Sequence, residues 1–206
     1  MSKILVITAS PRGERSVSRT LTTAFGQDWA KNHPDDTVLL RDIGHHPVPH
    51  VTEAWIIGTF APPEAQTPES KAAVAVSDQL VEEFLSADRY VFGVPMYNLN
   101  IPSTFKAYID QIVRVGKTFA VGANGYEGLV KGKKALFITS SGGSFQAGSP
   151  YAPYNFQEPY LRAIFGFIGV TDAQFVVADN MNAGDEPAKL SREKAESTLK
   201  ELATTW

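Results

Sequence analysis

Three serines between residues 9 and 18 are the first side chains whose spacing suggests a chemical role. In the stretch ASPRGERSVS, Ser10, Ser16 and Ser18 follow an apolar run and open a helix. Their hydroxyls and the free backbone N–H groups of a helix start can surround a phosphate group. The stretch has neither GxGxxG nor a GK[ST] ending, which disfavours a dinucleotide fold of that type and a nucleoside triphosphatase. The alternative is a serine-capped helix that holds no ligand.

A second segment, PMYNLNIPSTFKAYID at 95–110, combines apolar surface with amide groups. Met96, Tyr97 and Leu99 offer apolar surface, whereas Asn98 and Asn100 offer amide donors and acceptors. A flat aromatic ligand with a polar rim, such as an isoalloxazine ring, needs both. An ordinary turn that contains a buried tyrosine is the alternative.

A third segment, TSSGGSF at 139–145, contains a pair of glycines. Gly142 and Gly143 let the backbone approach a ligand closely. Their N–H groups can also point at negative charge that develops on a bound ring. The alternative is a plain glycine turn without a ligand.

The surrounding sequence predicts alternating strands and helices that bring these three segments to one edge of a sheet. Short apolar runs predict strands at 4–8, 37–43, 90–94, 134–139 and 173–177, and helical spacing predicts helices at 17–31, 68–87, 102–115, 157–168 and 187–203. This alternation indicates a doubly wound parallel sheet in a single α/β domain, 1–206. Ligands of such sheets bind beyond the carboxyl ends of the strands. The irregular stretch 44–67 is long for a loop, so it either has a function or contains a short helix.

Composition excludes several classes of protein. The chain has 206 residues, a net charge of -3 and no cysteine. Disulfides, thiolate nucleophiles and cysteine-ligated metal sites are therefore excluded, and redox chemistry would need a bound organic cofactor. The charge gives no electrostatic reason to expect nucleic acid or an anionic membrane as a partner. The amino-terminal run MSKILVITAS is too short for a signal peptide or a membrane span, which predicts a cytoplasmic protein.

The remaining clusters of titratable residues are interpreted as structural. His45, His46 and His50 lie in GHHPVPH, where two prolines prevent a helix and no acid follows closely, so no metal site is predicted. Adjacent residues on a helix face different ways, so Glu82 and Glu83 are expected on a solvated face rather than in an acid/base pair. A surface turn is expected to carry the lysines Lys131, Lys133 and Lys134.

The chain resembles the bacterial FMN-dependent NADH:quinone oxidoreductases, also called FMN-dependent azoreductases. The likeness covers nearly the whole chain and includes MSKILVI, the serine stretch, PMYN with the helix start behind it, GKTF at 116–119, EGLVKGKKA at 127–135, TSSGG, and PYLRAIFGFIGVTD at 159–172. PMYN with the following helix start is the most specific part, because flavodoxin-like proteins in general share the serine stretch. The resemblance implies a flavodoxin-like sheet of five parallel strands in the order 2-1-3-4-5, with helices on both faces.

The resemblance also implies a homodimer with one FMN per subunit, in sites between the subunits. Matched by position, the residues implied to hold FMN are Ser10, Ser16, Val17, Ser18, Met96, Tyr97, Asn98, Leu99, Ser140, Ser141, Gly142 and Gly143. Leu99, Phe119 and Phe145 are expected to line the acceptor pocket. Some family members have histidine or tyrosine shortly after the glycine pair, where this chain has Ser144 and Phe145. Backbone N–H groups would then stabilise the reduced ring alone.

The implied activity is hydride transfer from NADH or NADPH to quinones, together with reductive cleavage of azo compounds to amines, by a ping-pong mechanism. The flavin carries the chemistry, and no side chain is predicted to be an obligatory acid or base. Tyr97 and Asn98 are expected to shape the reactive face. One alternative is a flavodoxin-type electron carrier, although such carriers are usually strongly acidic so that they dock on basic partners. Another is an NADPH-dependent chromate or nitro reductase on the same fold.

Overall fold

The computed structural model describes residues 1–123 and 125–206, which form a central sheet with helices on both faces. The strands are β1 Lys3–Thr8, β2 Thr37–Asp42, β3 Arg89–Pro95, β4 Phe119–Gly122, β5 Gly125–Gly128, β6 Lys134–Ser140 and β7 Asp172–Ala178. The helices are α1 Val17–Asn32, α2 Glu53–Phe60, α3 Pro68–Ser86, α4 Ser103–Ile112, α5 Gln157–Phe167 and α6 Asp185–Thr205. The sheet has the order β2-β1-β3-β6-β7, and all its neighbouring strands are parallel. Among the five strands of this sheet, that order is the predicted 2-1-3-4-5, which is confirmed.

Burial on both faces explains why the three central strands, β1, β3 and β6, are apolar runs. Residues 4–7 of β1 are at most 1% exposed. Ile4 and Val6 pack on the side of α1 and α6, whereas Leu5 and Ile7 pack on the side of α3, α4 and α5. The loops that leave β1, β3 and β6 therefore gather at the carboxyl edge between the two helix layers.

The predicted strands and helices are confirmed, with shifts of up to three residues at their ends. The largest shift is in α4, which ends at Ile112 rather than at residue 115. Val113 leaves helical geometry with a φ of -82° and a ψ of 89°, and the Arg114 N–H donates to Thr118 Oγ1 at 2.9 Å instead of to a helical carbonyl. Within the described residues, no helix has the length and apolarity needed to span a bilayer.

The stretch 44–67 contains α2, so the expectation of a short helix there is confirmed. Thr52 caps this helix, accepting from the Trp55 N–H at 3.2 Å. Trp55 Nε1 donates to Gln111 Oε1 at 2.8 Å, and Gln111 Nε2 donates to the Pro49 carbonyl oxygen at 2.8 Å. A buried amide of α4 therefore ties α2 to the body of the fold.

The antiparallel hairpin of β4 and β5 is a feature that the sequence pattern did not predict. Its strands pair Phe119 with Gly128 and Val121 with Tyr126. At its far end, a Cβ on Gly128 would lie 2.3 Å from the backbone nitrogen of Gly169. The missing side chain lets two backbone segments touch, which packs the hairpin beside the end of α5.

Two charged residues that were expected on the solvated surface are half-buried and make specific contacts. Lys133 Nζ donates to the carbonyl oxygens of Leu85 and Ala87 at 2.5 Å each, and burial lowers the pKa of this lysine. Glu83 accepts from Arg41 Nε and Nη2 at 2.5 and 2.8 Å. Both contacts fasten α3, one to the turn before β6 and the other to β2, over sequence separations that a local pattern does not cover.

Candidate cofactor site

The serine loop, residues 9–18, joins β1 to α1 and presents a group of hydroxyl and N–H donors. Ser16 caps α1, since its Oγ accepts from the Arg19 N–H at 3.3 Å, and Ser18 Oγ lies 3.5 Å from Ser16 Oγ. The first N–H groups of a helix have no partner inside it. Those of Val17 and Ser18 are therefore available at the positive end of the helix dipole, where an anion such as phosphate is stabilised.

Ser10 connects the serine loop to the loop that follows β3. Its side chain is fully buried, and its Oγ accepts from the Arg12 N–H at 3.2 Å. The same Oγ lies 3.4 Å from the hydroxyl oxygen of Tyr97, and either group can donate in that contact. The pair thus has one proton free to be offered to a ligand.

Residues 97–100 form a tight turn directly after β3. The Tyr97 N–H donates to the Asn100 carbonyl at 2.8 Å, and the Asn100 N–H donates to the Tyr97 carbonyl at 3.1 Å. Asn98 and Leu99 have φ angles of 48° and 71°, as a type I′ turn requires at both central positions. Asparagine tolerates this region, but leucine is strained in it. The Phe156 N–H donates to the Leu99 carbonyl at 3.2 Å and helps to hold the strained residue.

The glycine loop, residues 139–145, begins in the last two residues of β6 and continues beyond the strand. Ser141 Oγ donates to the Gly143 carbonyl at 2.7 Å, which folds the loop on itself. A Cβ on Gly142 would lie 2.6 Å from Asn182 Nδ2, and the Asn182 N–H donates to the Gly142 carbonyl at 2.8 Å. The loop after β7 therefore packs closely against Gly142, and the Asn182 side chain would have to move to accept a Cβ there.

The three loops enclose an open cavity of about 220 Å³ at the carboxyl edge of the sheet. The Met96 N–H donates to the Ser140 carbonyl at 2.7 Å, so the residue that leads into the tight turn is bonded to the glycine loop. The cavity is lined by Ser10, Arg12, Ser16, Val17, Pro95, Met96, Tyr97, Ser140, Ser141, Gly142, Met181 and Asn182. These lining residues, all in the described part of the chain, include no carboxylate. Arg12 adds a positive charge, so the cavity favours an anionic ligand.

Several residues predicted to hold a cofactor lie outside this lining. Ser18 is fully buried behind Ser16, and Asn98 is exposed at the tip of the tight turn. Gly143 directly follows the lining residue Gly142, and Leu99 comes two residues after the lining residue Tyr97, but neither is part of the lining. Their contribution to a ligand site stays a prediction.

The predicted acceptor contacts Phe119 and Phe145 lie on different segments. Phe119 opens β4 and packs against Phe167 of α5, with ring centroids 4.9 Å apart, and against Tyr126 at 6.1 Å. Phe145 ends the glycine loop, 6.1 Å from the ring of Tyr151. Neither ring is among the described residues that line the cavity in one chain, so the acceptor pocket also stays a prediction.

Sequence reasoning missed a fourth loop, which contributes Met181 and Asn182 to the lining. The Met181 N–H donates to the Ser141 carbonyl at 3.1 Å, so this loop supports the glycine loop. The segment DNMNAGD at 179–185 follows the fifth strand of the sheet. Because all parallel strands end at the same edge, its position was a signal that could have found it.

The histidine-rich stretch is not brought into the cavity. His45 Nδ1 lies 2.8 Å from Asp42 Oδ2, while His46 and His50 are exposed. Over residues 1–123 and 125–206, no group of three histidine, aspartate or glutamate side chains is arranged to hold a metal ion.

Comparison with known proteins assigns the chain to a family. The family model for the flavodoxin-like fold matches residues 2–203. The FMN-dependent NADH:quinone oxidoreductase 2 of Trichormus variabilis is 58% identical over 207 residues, which cover 100% of both chains. The chain belongs to the FMN-dependent NADH:quinone oxidoreductase family. A further family member, from Azotobacter vinelandii, is 43% identical over 203 residues, covering 98% of this chain and 100% of its own.

Solved structures resemble this chain over its full length. The azoreductase from Bacillus anthracis str. Sterne superposes with a TM-score of 0.93 at 33% identity, covering 100% of both chains. The FMN-dependent NADH-azoreductase from Bacillus anthracis str. Ames Ancestor, solved in complex with FMN, superposes with a TM-score of 0.90 at 28% identity, covering 99% of this chain and 98% of that one. The agreement in fold therefore includes the elements that carry the four loops.

Proposed function

We propose that this protein is an FMN-dependent oxidoreductase that transfers hydride from NADH or NADPH to quinones and cleaves azo compounds to amines. The observation that carries the proposal is the cavity at the carboxyl edge, where a carboxylate-free cluster of hydroxyl and N–H donors meets the tight turn and the glycine loop. The names of full-length relatives support the same substrates, since they include an FMN-dependent NADH:quinone oxidoreductase at 58% identity and an azoreductase at 33%.

The donor set of the serine loop fits the phosphate end of FMN. Ser10, Ser16 and Ser18, with the backbone N–H of Val17, would surround the phosphate with charge-assisted hydrogen bonds. The same residues lack the lysine and the acidic partner that a magnesium-bound triphosphate would need. The cavity is therefore suited to a monophosphate.

The opposite end of the cavity fits a flat ring with a polar rim. The residues that would hold the ring are Met96, Tyr97, Asn98, Leu99, Ser140, Ser141, Gly142 and Gly143. A Cβ added to Gly143 would meet only a Phe145 ring atom, at 3.9 Å, so the backbone there is open to close approach. When bound, FMN takes up hydride from a nicotinamide and delivers it to an acceptor.

The chain's own residues would orient the reactants and stabilise charge. The described lining contains no histidine, aspartate or glutamate, so no side chain there is assigned as an obligatory acid or base. The N–H groups of Gly142 and Gly143 would face the negative charge that develops on reduction. Tyr97, whose hydroxyl Ser10 holds at 3.4 Å, would shape the reactive side together with Asn98.

A ping-pong order follows from the space available. The tight turn and the glycine loop would cover one side of the ring and leave the other open. Nicotinamide and acceptor are both planar, so they would occupy the open side in turn. Leu99, Phe119 and Phe145 would give the acceptor apolar contacts, as a planar quinone requires.

A homodimer with one FMN per subunit would complete this pocket, because Phe119 and Phe145 lie outside the cavity lining of a single chain. Large apolar side chains are available for a second copy to cover: Phe60 is 69% exposed, Tyr126 71% and Tyr151 58%. We place the enzyme in the cytoplasm. Light scattering with activity tests the dimer, and a concentration-independent monomer mass with full activity would contradict it.

The flavin itself provides the first test. The purified protein should be yellow, or should take up FMN in preference to FAD, and heat release with chromatography identifies the bound species. Anaerobic NADH or NADPH should bleach it, and a quinone should restore the colour. FAD, or no flavin uptake, would contradict the proposal, and bleached protein that quinones do not reoxidise would favour the electron carrier.

A further inference from the structure

Arg19, in the first turn of α1, reaches back to the backbone of the serine loop. Its Nε donates to the Arg12 carbonyl oxygen at 3.0 Å, and its Nη2 donates to the Ser10 carbonyl oxygen. Its Nη1 and Nη2 also form a two-point pair with Asp42, at 2.7 and 2.8 Å. One side chain therefore joins the serine loop to the last residue of β2.

These contacts use most of the donors of Arg19. A guanidinium has five N–H groups, and here Nε supplies one, Nη1 one and Nη2 two. The side chain is 15% exposed, and its charge is paired with the Asp42 carboxylate. Arg19 thus has little left to offer a phosphate directly. Its contacts act instead on the backbone that presents the serines.

Asp42 is itself held by the turn that follows β2. Its Oδ1 accepts from the N–H groups of Gly44 and His45 at 3.1 Å each, and its Oδ2 lies 2.8 Å from His45 Nδ1. Gly44 packs directly on the serine loop, since a Cβ there would lie 2.0 Å from the Ser10 carbonyl oxygen. The end of β2 is therefore a fixed point against which Arg19 holds the loop.

We propose that Arg19 and Asp42 are positioning residues that hold the serine loop in the conformation that receives the FMN phosphate. The inference rests on the FMN site of the proposed function. A loop that is already ordered loses less conformational freedom when a ligand binds. Breaking the pair should weaken binding of the phosphate although no direct contact with it is removed. A ligand that lacks the phosphate should be affected little.

Riboflavin, which is FMN without its phosphate, makes the test specific. Fluorescence titration of the full chain freed of flavin gives dissociation constants for FMN and riboflavin in the wild type, Arg19→Met, Arg19→Lys and Asp42→Asn. We expect FMN binding to weaken about tenfold or more in Arg19→Met and Asp42→Asn, and less in Arg19→Lys, which keeps the charge but not the planar fork. Riboflavin binding should change by less than about twofold, well under the 1.4 kcal/mol of a tenfold change.

Arg41→Met is the matched control. It breaks the two-point pair with Glu83, at 2.5 and 2.8 Å, from the neighbouring position of β2, and it should leave the ratio of the two dissociation constants unchanged. A wild type that binds FMN and riboflavin equally would contradict the proposed FMN site. The inference would be overturned if the wild type prefers FMN to riboflavin and Arg19→Met or Asp42→Asn shows the same preference. It would also be overturned if a variant lost affinity for FMN and for riboflavin by the same factor. If Arg19→Met does not fold, the FMN and riboflavin dissociation constants of Arg19→Lys and Asp42→Asn provide the test.

Discussion

The hydroxyl oxygen of Tyr97 lies 3.4 Å from Oγ of Ser10, inside the cavity. This contact joins the tight turn after β3 to the serine loop after β1. Ser10 also accepts from the Arg12 N–H at 3.2 Å. The two ends of the candidate FMN site therefore belong to one hydrogen-bonded unit. A substitution at one end should change how much the other end contributes to FMN affinity.

Tyr97→Phe and Ser10→Ala test this coupling. Each should weaken FMN binding by about 0.5–1.5 kcal/mol, the usual net contribution of a neutral hydrogen bond. Because the residues share one contact, the double variant should lose less than the sum of the single losses. FMN dissociation constants for the four proteins of the cycle measure the difference, and strict additivity would show that the two hydroxyls act independently.

Tyr108→Phe is the control for removal of a tyrosine hydroxyl. The hydroxyl of Tyr108 is buried in the core and has no hydrogen-bond partner among the described residues. Its removal should leave the FMN dissociation constant unchanged. It should also keep or raise the free energy of unfolding, because an unsatisfied polar atom is lost from the interior.

Ser16→Ala combined with Ser18→Ala tests the phosphate cradle. Each hydroxyl bond to a charged phosphate contributes about 1.5–3 kcal/mol, so the double variant should bind FMN far more weakly. Ser16 also caps α1, so the free energy of unfolding should fall by about 1 kcal/mol. Titration with FMN and denaturant unfolding separate the two effects.

Thr67→Ala is the matched cap variant. Thr67 Oγ1 accepts from the Ser70 N–H at 3.1 Å at the start of α3, away from the cavity lining. A similar stability loss with unchanged FMN affinity is expected. If the double serine variant behaves in the same way, the serine loop caps a helix and does not bind phosphate.

Steady-state kinetics test whether donor and acceptor share one open side. Rates measured against NADH at several menadione concentrations should give parallel double-reciprocal lines. Azo dyes should turn over more slowly, because each azo bond needs two visits of the donor. Intersecting lines would show that both reactants bind together, which the shared-side arrangement does not allow.

The Asp42 carboxylate predicts a pH dependence of stability. Burial opposes its ionisation, but hydrogen bonds from Arg19 and from His45 outweigh this and hold its pKa well below the ordinary value. A carboxylate of this kind stabilises the fold above its unfolded pKa of about 3.9 and loses that contribution as the pH falls toward its folded pKa. The comparison is made in two proteins that both carry His45→Gln, which removes the imidazole beside Asp42. One protein keeps Asp42 and the other carries Asp42→Asn, and the difference between their free energies of unfolding should be constant above about pH 5. It should narrow below about pH 4, and a difference that grows on acidification would contradict the assignment.

The sheet was predictable because its strands carry their signal locally. Residues 4–7 form a short, unbroken apolar run followed by small polar residues, the pattern of a strand covered on both faces. Since parallel strands share a carboxyl edge, the same pattern located the serine loop, the tight turn and the glycine loop. The loop with Met181 and Asn182 obeys the same rule.

Long-range contacts and weakly patterned elements were not predictable. Arg19 and Asp42 are 23 residues apart, and only the pairing of β1 with β2 brings them together. The sequence does not distinguish Lys133 from the two lysines close to it. Only the fold shows that its Nζ donates to the last turn of α3. The strands β4 and β5 have four residues each, several of them exposed, so they carry no periodic signal.

The attachment of α2 through Trp55 has a consequence for local opening of the fold. Trp55 and Gly58 are the buried residues of this helix, whereas Ile56 and Ile57 are exposed. A Cβ on Gly58 would lie 2.5 Å from the Ser70 carbonyl oxygen, so α2 packs closely on α3 at this point. The free energy that holds α2 closed therefore depends on this packing and on the tryptophan with its bond to Gln111, rather than on the sheet. Amides of 53–60 should exchange with deuterium through an opening that leaves the strand amides protected, as a separate cooperative unit. This helix, which carries the exposed Phe60, would thus be able to detach without unfolding the cofactor site.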